Sequence, residues 1–114
     1  MQFLPWMRFD LRSGKPILSR GFGGFGGPAI LPMALKTVYD CYPKVSIPII
    51  GVGGISSAKD VLEYLYAGAS AVGVGSLNLH DSLGMKRIVE ELPSVLAHYG
   101  RKSVQECIGL AHRK

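Results

Sequence analysis

The sequence predicts an α/β fold with a parallel sheet, and two observations support this fold class. Residues 47–52 and 71–75 are apolar runs of the kind that forms strands buried on both faces of a parallel sheet. A helical pattern separates the two runs, so strand, helix and strand follow each other within about 30 residues, as in a βαβ unit. A chain of 114 residues is long enough for one domain. We therefore expect a single domain over residues 1–114.

A small hairpin is predicted near the N-terminus. Residues 7–11 alternate between apolar and polar side chains, which allows one face of a strand to be buried. Ser13 and Gly14 then mark a turn, and residues 15–18 form a second short extended run. The two runs are expected to pair across this turn.

The next segment is rich in glycine. Residues 21–27 are predicted to form an irregular loop, because so many glycines disfavour regular structure. The loop contains a G-x-G-x-x-G spacing, but no buried strand precedes it, so a Rossmann dinucleotide site is not expected. Pro28 suits the first position of a helix, where its missing N–H needs no partner. Apolar residues at helical spacing then predict a helix over residues 29–42.

The βαβ unit begins with the strand of residues 47–52. A helix follows, with Ser57 as its capping residue and Asp60 in its first turn. This helix is expected to stop at Gly68, and the second strand covers residues 71–75. The apolar stripe of the helix consists of Val61, Leu62, Leu65 and Tyr66.

The last part of the chain is predicted to be helical. A helix covers residues 85–99 and stops at Gly100. Pro93 falls inside this helix and is expected to kink or restart it. Residues 103–106 have the pattern of a capping box, which opens a short final helix. The apolar face of the longer helix consists of Met85, Ile88, Val89, Leu92, Leu96 and Tyr99.

The composition narrows the class of protein. The net charge is +5, but the basic residues are scattered without interleaved aromatic residues, so nucleic-acid binding is not expected. No apolar run reaches the roughly 18 residues of a membrane span. The two cysteines lie far apart and are expected to be free thiols in a reducing cytoplasm. The three histidines lack the spacing of metal ligands, so no metal site is expected.

Two pairs of small residues mark a candidate phosphate site. Gly53 and Gly54 follow the first strand of the βαβ unit, and Gly75 and Ser76 follow the second. Consecutive parallel strands are usually neighbours, so both pairs are expected side by side at the C-terminal edge of the sheet. Glycine lets a ligand approach the backbone, and N–H groups at the start of a following helix can bind a phosphate. The alternative is that these residues are ordinary turn glycines.

No reaction centre is recognisable in the sequence. The Ser, His and Asp residues do not have the spacing of a known catalytic triad. The acidic residues from Asp60 onwards fall on predicted helix faces or caps, which is typical of solvated structural side chains. We therefore expect no catalytic residue in this chain.

One family resemblance rests on four ordered blocks of sequence. The blocks cover residues 23–30, 32–35, 47–55 and 67–76. Together they resemble the class 1 dihydroorotate dehydrogenases, and the resemblance extends from about residue 7 to residue 108. Members of that family are FMN-dependent (β/α)8 barrels that oxidise dihydroorotate to orotate in pyrimidine synthesis, usually as cytosolic dimers. The resemblance therefore implies a partial TIM barrel made of C-terminal βα units.

The resemblance also implies which residues contact FMN. The family's contacts match Gly27, Gly53, Gly54, Gly75 and Ser76 of this chain, and many relatives have Thr at the last of these positions. The glycine-rich block is similar to the fumarate-using branch of the family. The helix and strand that follow it are more similar to the branch whose catalytic subunit works with an iron–sulfur flavoprotein. The electron acceptor is therefore left open, and other FMN barrels with similar glycine pairs are the alternative parent family.

Several family features have no match in this chain. A whole barrel needs about 250 residues, so this chain corresponds to a truncated, C-terminal portion. The family's catalytic Cys, its flavin-contacting Lys and most of its substrate-binding Asn residues would lie upstream, and neither Cys41 nor Cys107 occupies the catalytic position. An Asn–Ser/Thr pair that contacts substrate in the family is replaced by Gln2 and Phe3.

These departures define the function that we expect. The chain is predicted to bind the FMN phosphate without being able to catalyse the reaction alone. A partial barrel exposes sheet edges and an apolar interior, so we expect self-association or docking with a complementary chain. Dihydroorotate or orotate would bind only once the barrel is complete. The alternatives are a non-enzymatic module that binds FMN or another phosphate ligand, and an inert remnant.

Overall fold

A computed structural model of the chain describes residues 4–113, and all structural statements below refer to this range. The range contains four strands, which are β1 (Leu4–Trp6), β2 (Gly23–Phe25), β3 (Ile50–Val52) and β4 (Ala71–Gly73). Its α-helices are α1 (Leu31–Cys41), α2 (Ala58–Ala67), α3 (Leu77–His80), α4 (Gly84–His98) and α5 (Val104–Cys107). Short 3-10 turns lie at Pro28–Ile30, Tyr42–Lys44 and Leu110–His112.

The predicted N-terminal hairpin is present, but it is held by a single bridge. Phe9 and Pro16 form an isolated antiparallel bridge, and the N–H of Asp10 donates to the carbonyl of Lys15 at 2.8 Å. The N–H of Gly14 closes the turn by donating to the carbonyl of Asp10 at 2.8 Å. A second hydrogen bond, from the N–H of Ile17 to the carbonyl of Arg8 at 2.9 Å, completes this bridge, and the pairing does not extend into two regular strands.

The prediction of an irregular loop over residues 21–27 is wrong for its centre. Gly23–Phe25 forms β2, which pairs antiparallel with β1. The indole N–H of Trp6 donates to the carbonyl of Gly24 at 2.6 Å. A Cβ on Gly23 would lie 3.2 Å from the indole nitrogen, so the glycine leaves room for the Trp6 ring to cross the strand. The glycines here permit a close strand pairing rather than prevent one.

The first long helix is confirmed close to its predicted bounds. Pro28 occupies the first position of a 3-10 turn, Pro28–Ile30, which leads directly into α1. The helix ends at Cys41 and continues as a second 3-10 turn, Tyr42–Lys44. Pro28 therefore begins the helical segment as its missing N–H predicts.

The βαβ unit is confirmed. Strands β3 and β4 pair in parallel, with Gly51 opposite Val72, and α2 connects them. Ser57 and Asp60 form a complete capping box at the start of α2. Gly68 ends α2 with a φ of 127°, and its N–H donates to the carbonyl of Leu65 at 3.0 Å.

The two parallel strands are shorter and more exposed than predicted. The apolar run of residues 47–52 forms a strand only over Ile50–Val52. Ile50 is 68% exposed and Ile47 is 70% exposed, so the expectation of burial on both faces is wrong for these side chains. The physical reason is that β3 and β4 form a two-stranded sheet within the described range, with no further strand on either edge.

The hydrophobic core is centred on α2. This helix contacts α1, α4 and α5. Tyr64 of α2 and Cys107 of α5 are the largest fully buried side chains. The core of buried side chains contains Ala34, Val38, Ile55, Ala58, Val61, Leu62, Tyr64, Leu65, Ala67, Ala69, Leu77, Ile88 and Cys107.

The C-terminal helices differ from the sequence expectations in two details. Helix α4 continues through Pro93 as one element, so the helix does not restart there. The packing of α4 against α2 holds the segment together despite the lost backbone hydrogen bond. At α5 the Ser103 hydroxyl accepts from the N–H of Glu106, as a capping box requires. The Glu106 carboxylate, however, accepts from the N–H of Lys102 instead of Ser103.

The chain has more exposed surface than a compact protein of its size. Its accessible surface is 7849 Å², whereas a compact monomer of this mass exposes about 6,100 Å². Its radius of gyration is 16.9 Å, against about 13 Å expected for a compact domain of this length. No helix of residues 4–113 is both long and apolar enough to cross a membrane.

Candidate functional site

All five site residues predicted from the sequence lie around one cleft. Gly27, Gly53, Gly54, Gly75 and Ser76 line a cavity of about 250 Å³, which we call the glycine cleft. Six further residues line it, namely Gly26, Ile30, Val52, Ile55, Gly73 and Leu79. Sequence reasoning did not name these six as site residues, although all of them except Leu79 fall within the blocks that resemble the family.

The parallel register of β3 and β4 brings the two glycine pairs together. Val52 at the end of β3 lies opposite Gly73 at the end of β4. Gly53 comes one residue after Val52, and Gly75 comes two residues after Gly73. Because β3 and β4 are parallel, both glycines leave the sheet at the same edge. The expectation that these corners are neighbours agrees with this geometry.

Gly27 reaches the cleft from another part of the chain. Strand β2 ends at Phe25, and Gly26 and Gly27 connect it to the 3-10 turn before α1. Gly27 has a φ of 92°, a backbone conformation that residues with a side chain rarely adopt. Its carbonyl accepts from the N–H of Ile30 at 3.2 Å, which fixes the turn at the mouth of the cleft.

The glycines of the cleft differ in how much space surrounds the position that a Cβ would take. A Cβ on Gly54 would lie 2.8 Å from the backbone nitrogen of Leu31, so the fold itself requires this glycine. A Cβ on Gly53 would also be crowded, because it would lie 3.1 Å from the Cδ1 atom of Ile30. At Gly27 and Gly75, by contrast, a Cβ would meet no atom within 4 Å. The open space that a ligand could occupy therefore lies beside Gly27 and Gly75.

The start of α2 does not line the glycine cleft, contrary to the sequence expectation, and a carboxylate already lies there. The Asp60 carboxylate accepts from the N–H of Ser56 at 2.9 Å and from the N–H of Ser57 at 3.2 Å. These groups are therefore satisfied, and a negative charge already lies at this helix end. Any donors that face an anion in the cleft are therefore expected from the glycine loops that line it.

The glycine loops do offer donors. Residues 4–113 make a set of backbone hydrogen bonds outside their helices and strands. None of these bonds is donated by the N–H of Gly54, Gly75 or Ser76. The Ser76 side chain makes no capping hydrogen bond at the start of α3, and Ser76 is exposed. None of the described residues brings a charged side chain to the lining of the cleft. A set of neutral N–H and hydroxyl donors is suited to an anionic group such as a phosphate.

Tyr64 is a further residue that the sequence reasoning missed, and it lies outside the lining of the cleft. Its hydroxyl donates to the carbonyl of Gly53 at 2.6 Å. Its ring lies beneath Gly51, where a Cβ would collide with it. Burial, together with the negative charge of Asp60, raises the pKa of Tyr64 to about 12. The hydroxyl therefore remains protonated, and remains a donor, throughout the neutral pH range.

Among the described residues, Ser76 carries the one side chain with a polar group that lines the cleft, and no side chain there titrates near neutral pH. None of its lining residues in the described range is an acid, a histidine, a lysine or a cysteine. Most acidic side chains have structural partners elsewhere, for example Asp81, which accepts from Arg87 at 2.7 Å. Cys107 is buried in the core, and burial raises the pKa of its thiol. Over residues 4–113, no three metal-ligating side chains come together.

Comparison with known proteins identifies the family. Residues 3–96 match the family model described as dihydroorotate dehydrogenase. The chain belongs to the dihydroorotate dehydrogenase family. This result confirms the class 1 resemblance and excludes the alternative of another FMN-barrel family. Members of the family are generally flavin-dependent.

Two curated relatives show how much of the family's length the chain covers. It is 56% identical over 103 residues to the catalytic subunit of dihydroorotate dehydrogenase B (NAD(+)) from Bacillus pumilus. It is 50% identical over 103 residues to the same subunit from Anoxybacillus flavithermus. In each case the match covers 90% of this chain and 33% of the relative. The chain therefore spans about a third of the length of the relatives it matches.

Solved structures confirm the fold class. The crystal structure of ligand-free dihydroorotate dehydrogenase from Eimeria tenella matches with a TM-score of 0.75 and 35% sequence identity. The match covers 81% of this chain and 26% of that chain. Within residues 4–113 the chain is thus an α/β fragment of a (β/α)8 barrel fold, with a parallel strand pair and a small hairpin. The predicted substrate-contact position, Gln2 and Phe3, lies outside the described residues.

Proposed function

We propose that the chain holds the phosphate group of FMN in the glycine cleft, as the cofactor-phosphate part of a dihydroorotate dehydrogenase. The donors are the backbone N–H groups of Gly53, Gly54 and Gly75 and the N–H and hydroxyl of Ser76, with Gly27 at the mouth. The observation that carries the proposal is the convergence of these five residues on one cleft. FMN, when bound, supplies the electron acceptor for oxidation of dihydroorotate.

The size and chemistry of the cleft fit the phosphate end of the cofactor. A cavity of about 250 Å³ is smaller than the roughly 300–1,000 Å³ of pockets that enclose whole drug-sized ligands. It is therefore suited to the phosphate and its neighbouring atoms rather than to the complete flavin. The open space beside Gly27 and Gly75 is where the group would lie.

The proposal is tested by titrating the purified chain with FMN and with riboflavin, which lacks the phosphate. Charge-assisted hydrogen bonds to the phosphate each contribute about 1.5–3 kcal/mol, so FMN is expected to bind at least about tenfold more tightly than riboflavin. Flavin fluorescence measures both affinities. Equal affinity for the two flavins, or no saturable binding of FMN, would refute the proposal.

A second prediction concerns catalysis. Dihydroorotate added anaerobically to the FMN-loaded chain is expected to leave the flavin oxidised, because the cleft contains no acid or base to transfer the substrate proton. Absorbance of the oxidised flavin measures the outcome. Bleaching of the yellow colour by this chain alone would contradict it and would mean that the chain carries a reaction centre. Binding without bleaching is also the behaviour of a non-enzymatic module.

A third prediction concerns self-association. We propose that the surplus of exposed surface, about 1,700 Å² above that of a compact monomer, is covered by a second copy or by a complementary chain. This area exceeds the roughly 800 Å² that each partner buries in a standard protein interface. Sedimentation at micromolar concentration is expected to show dimers or larger species. A stable monomer over the whole concentration range would contradict this.

One further proposal follows from the names of the relatives. The relatives named above carry NAD(+) in their names and are catalytic subunits, so we propose NAD(+) as the final electron acceptor of the complete assembly.

We also propose a cytoplasmic location. Cys41 and Cys107 support it, because both are free thiols in the structure and reducing compartments preserve free thiols.

A further inference from the structure

We propose that Tyr64 is a positioning residue, which holds the Gly53–Gly54 peptide so that the N–H of Gly54 faces the phosphate in the glycine cleft. The inference rests on the phosphate binding proposed above. It adds a residue of the α2 helix that does not itself line the cleft.

The orientation follows from the geometry of one peptide. The Tyr64 hydroxyl donates to the carbonyl of Gly53 at 2.6 Å, so this carbonyl points towards α2. None of the described residues has a cis peptide bond, and in a trans peptide the C=O and the following N–H point in opposite directions. The N–H of Gly54 therefore points away from α2. Gly53 and Gly54 line the glycine cleft whereas no residue of α2 does, and we infer from this that the cleft lies on the side to which the Gly54 N–H points.

The peptide needs such a restraint because it lies between two glycines. Gly53 has a φ of 131° and Gly54 a φ of 72°. Glycine adopts positive and negative φ with similar ease, so this peptide has alternative orientations of similar energy. A flipped peptide would turn the Gly53 carbonyl towards the cleft, where its partial negative charge would repel a phosphate. The hydrogen bond from Tyr64 excludes the flipped orientation.

The tyrosine itself is fixed by packing. Its side chain is fully buried, and its ring lies against Gly51, which has no Cβ to displace it. The hydroxyl is therefore held at one place relative to β3. Its raised pKa keeps it a donor at every pH at which FMN binding is measured. A rigid donor of this kind preorganises the loop before the anion arrives.

The matched variants Tyr64→Phe and Tyr66→Phe test the inference. Each removes one hydroxyl from α2, but the Tyr66 hydroxyl accepts from Arg101 Nε at 3.0 Å, outside the residues that line the cleft. Loss of one restraining hydrogen bond is expected to weaken FMN binding by Tyr64→Phe about five- to tenfold, with riboflavin binding unchanged. Tyr66→Phe is expected to leave the ratio of FMN to riboflavin affinity at its wild-type value.

The outcomes separate this inference from the proposed function. If the wild-type chain binds FMN no better than riboflavin, both are overturned. If the wild type prefers FMN and Tyr64→Phe keeps the full preference, only the role of Tyr64 is overturned. A purely structural role for Tyr64 would lower the melting temperature without changing the preference, and that result also counts against the inference.

A measurement on the wild type covers the case in which Tyr64→Phe does not fold. Amide chemical shifts of the chain are recorded while inorganic phosphate or FMN is added. The N–H of Gly54 is expected to shift strongly and with the same saturation as Gly75 and Ser76, because it donates to the anion. Saturation of Gly75 and Ser76 with no change at Gly54 would overturn the inference.

Discussion

Replacing Gly75 with valine is expected to weaken FMN binding by about 100-fold and to leave the stability of the chain almost unchanged. A Cβ at Gly75 meets no protein atom within 4 Å, and the φ of Gly75 is not positive, so the fold tolerates the side chain. The added methyl groups would instead occupy the space proposed for the phosphate. Loss of two charge-assisted hydrogen bonds, about 1.5 kcal/mol each, gives this magnitude.

The control for this variant enlarges an exposed residue far from the cleft. Ala97 is exposed on α4, and Ala97→Val adds the same kind of bulk without touching the glycine cleft. Flavin titration is expected to give wild-type affinity for Ala97→Val, and urea unfolding is expected to give similar stabilities for both variants. Wild-type FMN affinity in Gly75→Val would show that the phosphate does not lie at Gly75.

Replacing Gly68 with alanine is expected to destabilise the chain by about 3 kcal/mol or more, which is a large share of the 5–15 kcal/mol typical of a small domain. Gly68 has a φ of 127°, where an alanine is strained, and its Cβ would collide with the Tyr42 ring. The ring cannot move aside easily, because it also contacts Gly109 and the imidazole of His112. Urea unfolding followed by circular dichroism measures the loss.

Gly14→Ala is the matched control for this prediction. Gly14 also has a positive φ, of 73°, but a Cβ there would meet no atom within 4 Å. Its substitution therefore carries backbone strain without a collision and is expected to cost about 1 kcal/mol. An equal loss of stability in the two variants would show that the contact between Gly68 and Tyr42 contributes nothing.

The local elements and the position of the cleft were predictable from sequence. Ser57 with Asp60 marks the start of α2, and Gly68 marks its end, because capping and positive φ are local requirements. The placement of Gly53 and Gly75 at one sheet edge follows from the βαβ unit alone. These features depend on residues close in sequence or on a general rule of chain connection.

The features that the sequence did not reveal depend on contacts between distant residues. β2 exists because Gly23 accommodates the ring of Trp6, which lies far away in the chain. Tyr64 falls outside the predicted apolar stripe of α2, yet it is fully buried, because helices and strands cover α2 on more than one side. The exposure of Ile50 arises because no strand among residues 4–113 covers the edges of the β3–β4 pair; the apolar run predicted burial here, whereas the family resemblance predicted exposed sheet edges.

A crystal structure of the chain grown with FMN tests the phosphate cradle most directly. We expect density for the phosphate between the loop of Gly53 and Gly54 and the loop of Gly75 and Ser76, within hydrogen-bond distance of the Gly54 N–H. Density for the phosphate elsewhere on the molecule, with these two loops contacting only solvent, would contradict the account.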